Sequence, residues 1–396
     1  MLKQFAYQRF VRQRFVRQRS ARQRSAPRFW QSTATSVVSL VCLAVLWNAA
    51  PTARAQISAA SLPASQNTAG AQQPAAQKSP DAQTGDDQNP AETLKLNVNV
   101  VGLFFNVKDK HGALIPNLTK DEFELFEDGK PQTIKYFSAE SNLPLTLGIL
   151  IDSSGSQIRV LDMEKQVGGA FLRQILTDKD EAYVIDFNID AELVQDYTRD
   201  VHRLQAALNK VKINSGVTMP TLPGAGGGPV PTAPGSQRGT VLYDAVYLSA
   251  HDMLAKEVGR KAMILLTDGE DEGSQLKIKD AIEAAQRADA IVYVLLCADR
   301  GYYGSFGVGY SGESEMRKLT ESTGGRVINV GNKFDKLREA FDQIAAELRS
   351  QYNLGYTPTN PVQDGGYRKL EVKSKESYKI QCRAGYYATP REPLPQ

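Results

Sequence analysis

The residues of this chain that can do chemistry gather at the ends of apolar runs. In residues 145–156, LTLGILIDSSGS, an apolar run stops at Asp152 and gives way at once to Ser153, Ser154, Gly155 and Ser156. One carboxylate followed by hydroxyls at alternate positions is an all-oxygen donor set, which suits a hard cation such as Mg²⁺ or Ca²⁺. The same residue types cap helices, so this stretch alone leaves capping open. The design recurs farther on, where residues 261–267, KAMILLT, end in Asp268 and Gly269. Between the two, Thr240 opens GTVLYDA directly after a long Gly/Pro-rich insert. Ends of neighbouring strands lie side by side in open α/β sheets, and ligands bind there. Asp152, Ser154, Ser156, Thr240 and Asp268 are thus the candidate metal ligands; capping explains three such segments poorly.

Other residues carry weaker signals. Asp244, four positions after Thr240, either orients a ligand from behind or sits on a helix surface. Glu270, Asp271 and Glu272 fit the acidic first turn of a helix better than a further cation site. His111, His202 and His251 are scattered without ligand spacing. Tyr302, Tyr303, Phe306 and Tyr310 punctuate a Gly-rich loop and are candidate partner contacts, since aromatic residues are enriched at interfaces. Cys42, Cys297 and Cys382 are too few for a disulfide framework, and the last two read as small buried thiols.

The elements that must position these groups alternate. Strands are expected at 145–151, 181–187, 191–197 (an edge), 261–267, 290–297 and 326–330. Helices are expected at 158–176, 201–211, 240–254, 276–288, 313–323 and 334–349. That alternation predicts an α/β fold, a doubly wound and mostly parallel sheet over 143–350. The insert at 213–239, without periodicity, is either functional or disordered. On both sides the character changes to β. Residues 93–142 contain FELFEDGKPQTIKYFS, with Asp128-Gly129 as a hairpin signal. Residues 351–389 hold YNLGYTP, a Gly365-Gly366 turn, YRKLEVKS and YKIQCRAGYYA. Each flank is too short for a stable sheet domain. They are expected to be the two halves of one small β-sandwich into which the α/β domain is inserted, leaving a tail at 390–396.

Residues 1–55 have a basic start with QRFV-RQRFV-RQRSA-RQRSA repeats, an apolar stretch SVVSLVCLAVLWNAA and an Ala53-Arg54-Ala55 end. This is the pattern of a secretory signal, with an uncleaved membrane anchor as the rival. Residues 56–92, rich in Ala, Gln and Pro, read as a disordered linker. The formal charge of +3 comes from the leader, whose ten basic groups face no acidic ones. Without it 37 basic residues stand against 44 acidic, a balance of −7. No basic stripe is left for nucleic acid. The expected location is periplasmic, cell-surface or secreted.

These motifs resemble the von Willebrand factor type A domain with a metal-ion-dependent adhesion site. DSSGS matches D-x-S-x-S at Asp152, Ser154 and Ser156, GTVLYDA supplies Thr240, and LLTDGED supplies Asp268. The flanks further resemble a bacterial exported "VWFA-related" family known mainly from Acidobacteria. The resemblance implies a Mg²⁺ (or Mn²⁺/Ca²⁺) site completed by an Asp or Glu of a protein ligand, hence a non-enzymatic, cation-dependent adhesion or interaction module. Movement of the last helix, 334–349, would modulate such a site. Two alternatives stand beside it: a structural scaffold with a vestigial metal site, and a metal-assisted hydrolase or phosphotransferase using Asp152 as nucleophile. Against the enzyme, Ser154 occupies the position where a second Asp would be expected, and no Lys or His base lies nearby in sequence.

Overall fold

The computed structural model describes residues 100–139, 143–213, 239–298 and 312–388. The leader, the linker, nearly all of the insert, the tail and the aromatic loop with Tyr302, Tyr303, Phe306 and Tyr310 lie outside the described residues.

The chain enters through β1 (Val101–Lys108), β2 (Phe123–Glu127), β3 (Lys130–Gln132) and β4 (Ile134–Ser138). Asp128 and Gly129 both take positive φ, 49° and 77°, in the two-residue turn that joins β2 to β3. Such a turn matches the right-handed twist of a hairpin and selects Asp-Gly. The α/β domain follows: β5 (Leu145–Asp152), α1 (Leu161–Ile175), β6 (Glu181–Phe187), β7 (Ala191–Thr198), α2 (Val201–Lys210), α3 (Leu242–Leu248), β8 (Arg260–Thr267), α4 (Ile278–Arg287), β9 (Ala290–Leu296), α5 (Gly312–Thr323), β10 (Val327–Asn329) and α6 (Phe334–Arg349). The last strands are β11 (Tyr352–Tyr356), β12 (Tyr367–Ser374), β13 (Lys379–Cys382) and β14 (Gly385–Tyr387).

The central sheet has the order β10-β9-β8-β5-β6-β7, parallel except for the edge strand β7. All of β5 is buried. Leu147, Ile149 and Ile151 face a core with Phe171, Leu208 and Phe341 from α1, α2 and α6. Leu150, with Ile185 and Leu265 of its neighbours, faces the opposite core with Leu242, Ala285 and Leu319 from α3, α4 and α5. Both faces of the sheet are covered, which is why its strands read as continuous apolar runs. From β5 the chain moves outward through β6 and β7, then returns to the other side of β5 and moves outward through β8, β9 and β10. This reversal creates a crevice at the carboxyl ends of β5 and β8, the place where such sheets bind ligands.

The flanking strands form two antiparallel sheets, β13-β1-β11-β4 and β14-β12-β2-β3. Each sheet mixes strands from both sides of the α/β domain. Their shared core holds Leu103, Phe105, Phe123, Leu125, Tyr352, Leu354 and Leu370. Phe105 meets Phe123 edge-on at 5.2 Å and stacks on Tyr352 at 5.4 Å. The run 130–138 divides at Thr133, β3 pairing with β2 and β4 with β11. The Gly365-Gly366 turn does not close a hairpin between β11 and β12, because β1 and β4 already occupy both edges of β11. Residues 357–366 instead carry the chain from one sheet to the other.

Candidate metal centre

Asp152 is the last residue of β5, and its partner strand β8 ends one residue before Asp268. Register sets Ile151 opposite Leu266, so the two aspartates leave the sheet side by side. Both are buried, Asp152 at 0% and Asp268 at 2% exposure. Burial first, and then the neighbouring Asp268 carboxylate, push Asp152 up to about 7. Asp152 Oδ1 accepts the Ser154 amide at 2.9 Å, and its Oδ2 accepts the Thr267 hydroxyl at 2.7 Å. Among the described residues no Lys, Arg or His pairs with Asp152. Like charges held together in low dielectric, without a cation, are costly.

The hydroxyls are present as well. Ser154 Oγ and Ser156 Oγ lie 3.0 Å apart, both half-buried. They are not helix caps. A 3₁₀ turn, Gly155–Arg159, follows with no side-chain cap from Ser154, and α1 begins only at Leu161. Thr240 precedes α3, which starts at Leu242 rather than at 240 itself. Its carbonyl accepts the amides of Glu272 and Gly273, each at 3.2 Å. This ties the Thr240 segment to the loop after Asp268. The approach favours glycine, since a Cβ on Gly239 would lie a tight 3.1 Å from the Gly273 Cα. On the other side the Val241 amide donates to the Asn188 carbonyl at 2.7 Å. The segment therefore bridges the loops that follow β6 and β8, across the end of β5.

Asp244 is buried, and its carboxylate is spent on the amides of Gln275 and Leu276 at 3.1 and 3.0 Å. It fixes the loop between Asp268 and α4 instead of lying on a helix surface. The acidic run is not the first turn of the helix that follows it, because α4 begins at Ile278. Asp271 instead accepts the Tyr243 amide at 3.2 Å, at the start of α3. Sequence reasoning passed over three residues of this corner. Thr267 braces Asp152 and also accepts the Gly269 amide at 3.0 Å. Ser153 is held by Asn188 Nδ2 at 2.8 Å. The signal for Thr267 was its place at the end of an otherwise apolar strand. His111, His202 and His251 lie on other elements, before β2, on α2 and after α3.

Among the described residues no three His, Cys, Asp or Glu side chains converge on one point. A cation here would rest on two carboxylates plus hydroxyls. That donor set fits a hard divalent ion, and its charge would offset the Asp152–Asp268 repulsion. Asp152, Ser154, Ser156, Thr240 and Asp268 are the residues that would hold it.

No protein-family model and no curated protein matches the chain. Solved structures with a related fold include the conserved hypothetical protein BatB of Bacteroides thetaiotaomicron, 18% identical over 52% of this chain and 100% of its own, with TM-score 0.37. The vWF domain of the type V pili tip protein Mfa5 of Porphyromonas gingivalis is 11% identical over 52% of this chain and 95% of its own, with TM-score 0.37. The mussel byssus proximal thread matrix protein 1 with a zinc-occupied MIDAS motif is 14% identical over 56% of this chain and 50% of its own, with TM-score 0.40. These likenesses concern the fold; the chemistry of the corner rests on its own donors.

Proposed function

We propose that this protein is a non-enzymatic, cation-dependent interaction module that engages an acidic side chain of a protein partner. The observation that carries the proposal is the pair of buried carboxylates, Asp152 and Asp268, set beside two half-buried serine hydroxyls at the switch point of the sheet. Bound Mg²⁺, or Mn²⁺ or Ca²⁺, would neutralise the pair and keep a coordination position for an Asp or Glu from outside. The protein's own part is to hold the donors fixed: Thr267 and the Ser154 amide orient Asp152, while the Thr240 carbonyl anchors the loop beyond Asp268. Apolar side chains stand at the same end of the sheet, Ile158 at 64% and Ile189 at 37% exposure. Apolar surface beside a polar anchor suits a protein partner. Catalysis has less support, because no Lys, Arg or His pairs with a nucleophilic Asp152 among the described residues.

The leader supports a location outside the cytoplasm, with a cleaved signal or a membrane tether as its two forms. Among the described residues no helix is long and apolar enough to cross a membrane. The test is calorimetric titration of Mg²⁺ and Mn²⁺ into the protein beside Asp152→Ala. One saturable site that disappears in the variant supports the proposal. Equal heats from both proteins would refute it, and no binding to either would favour the vestigial scaffold.

A further inference from the structure

At the opposite end of the central sheet, where it meets the β-sandwich, a cavity of about 10 Å³ opens among the first residues of β5, β8 and β9. That is room for one water-sized occupant. Its wall carries Arg260, Lys261 and Arg383 against one carboxylate, Asp289, together with Gln351. Arg260 is 8% exposed; its Nε donates to the Leu143 carbonyl at 3.0 Å and its guanidinium also reaches the Leu348 carbonyl at 2.5 Å. No carboxylate forms an ion pair with it among the described residues. Arg383, also 8% exposed, pairs with Asp289 and donates to the Gly102 carbonyl at 2.6 Å, but its Nε has no partner. Gln351, at 1% exposure, has an unpartnered Nε2. The unpartnered buried side-chain atoms on this wall are therefore both donors.

We infer that the junction cavity binds a small monoatomic anion, chloride or its like. An anion only accepts hydrogen bonds, so it suits a wall whose orphaned groups are both N–H donors. It also adds negative charge beside a buried guanidinium that no carboxylate contacts directly, Asp180 acting on it only from farther off. Water could fill the same space, but it brings donors of its own and no charge. Burial also holds Arg260 and Lys261 below their usual values, against the opposing pull of Asp180 on Arg260 and of Asp289 and Glu257 on Lys261. The size of the cavity excludes sulfate and phosphate. The walls come from both parts of the molecule, with Phe104 of β1 and Arg383 from the sandwich and the rest from the α/β domain or its edge. An anion there joins the two.

The test is thermal and urea unfolding of the protein while sodium gluconate is exchanged for sodium chloride at constant sodium, with chelator present throughout so that the cation site is silent. The expected result is a stabilisation by chloride that grows with the logarithm of its concentration. Above the dissociation constant, each tenfold rise in chloride should raise the folding equilibrium constant about tenfold. Bromide should reproduce the effect, and Gln351→Leu should weaken the response to both halides. Coincident unfolding curves in chloride and gluconate overturn the inference, as does an unchanged response in the variant. Should Gln351→Leu fail to fold, crystals of the unaltered protein soaked in bromide decide the matter. An anomalous peak within hydrogen-bond reach of Gln351 Nε2 and Arg383 Nε supports the anion, and a cavity without one overturns it.

Discussion

Replacing Glu164 by glutamine should make the protein more stable at neutral and alkaline pH. Glu164 lies in the first turn of α1, at 0% exposure, and neither carboxylate oxygen has a hydrogen-bond partner. Burial, reinforced by the charges of Asp152 and Asp268, pushes it up to about 8 from an ordinary 4.5, although the Cys297 thiol beside it acts in the opposite sense. The folded-state value is the higher one, so the folded state holds this proton more tightly than the unfolded chain does. Below the unfolded value the group costs nothing. Between the two values the folded state loses stability as pH rises, and above the folded value the loss is constant. At about 1.4 kcal/mol per unit, the loss reaches about 3 kcal/mol at neutral pH and about 5 kcal/mol above the folded value.

Glutamine keeps the shape and removes the charge, while its amide adds an unsatisfied polar group costing about 1–3 kcal/mol at every pH. The pH dependence of the difference between the two proteins isolates the charge. Urea unfolding in chelator at about pH 5 and about pH 9 should show the difference moving in favour of glutamine by about 4 kcal/mol. Chelator matters, because a bound cation would offset the Asp152 and Asp268 charges that contribute to the shift. A difference that stays constant across this range would refute the reasoning, and would mean that Glu164 is already ionised at the low end or has a partner in solution. The same experiment with Glu164→Leu checks that the gain follows from the lost charge and not from the amide.

Two further substitutions probe the site and its frame. In Thr240→Ala the carbonyl that anchors Glu272 and Gly273 is retained, so the fold should survive while cation affinity falls about tenfold or more, by analogy with the cost of losing ligand-orienting groups; an unchanged Mg²⁺ titration would take Thr240 out of the ligand set. Glu347, near the end of α6, pairs with Lys108 of β1 at 2.8 Å and with Arg326 at 2.7 Å, and accepts Gln381 of β13 at 3.1 Å. Glu347→Ala leaves Lys108 buried without its charge partner and should cost about 3–5 kcal/mol in urea unfolding, whereas a loss below about 1 kcal/mol would show that this junction is not coupled.

How far the sequence could be read depended on the distance over which each feature is encoded. The central sheet was legible because fully buried parallel strands must be continuous apolar runs, and β5 and β8 each end where polar residues begin. Asp152 and Asp268 stood out for the same reason, as the first charged groups after those runs. Thr267 had only its place at the end of an apolar strand as a signal, and that place does not distinguish bracing from exposure. The acidic run at 270–272 was misplaced because acidic residues favour the start of any helix. Asp271 serves α3, which precedes it in the chain, and not α4, which follows.

The two flanks show why strand counting reaches farther than local pattern. Neither flank has enough strands to bury a core, and that shortage alone pointed to a partner at the other end of the chain. The register of Val101 on Tyr356 and Leu103 on Leu354 realises the pairing across the whole α/β domain. What strand counting could not supply is the connection between the parts. Asn106 and Lys108 of β1 both reach Glu347, and Arg260 of β8 reaches the chain ends on either side of the domain at Leu143 and Leu348. These residues are scattered polar positions in the sequence, and they become one junction only when β1 and β11 have paired. The helix α6 thus has its carboxyl end fixed in the sandwich, while its apolar face packs on the sheet that carries Asp152. Any displacement of α6 that reached the metal corner would first have to break the buried Glu347 pairs. Loss of Glu347 should therefore weaken Mg²⁺ binding at the proposed cation site as well as stability, and an unchanged Mg²⁺ titration of Glu347→Ala would show that the two are separate.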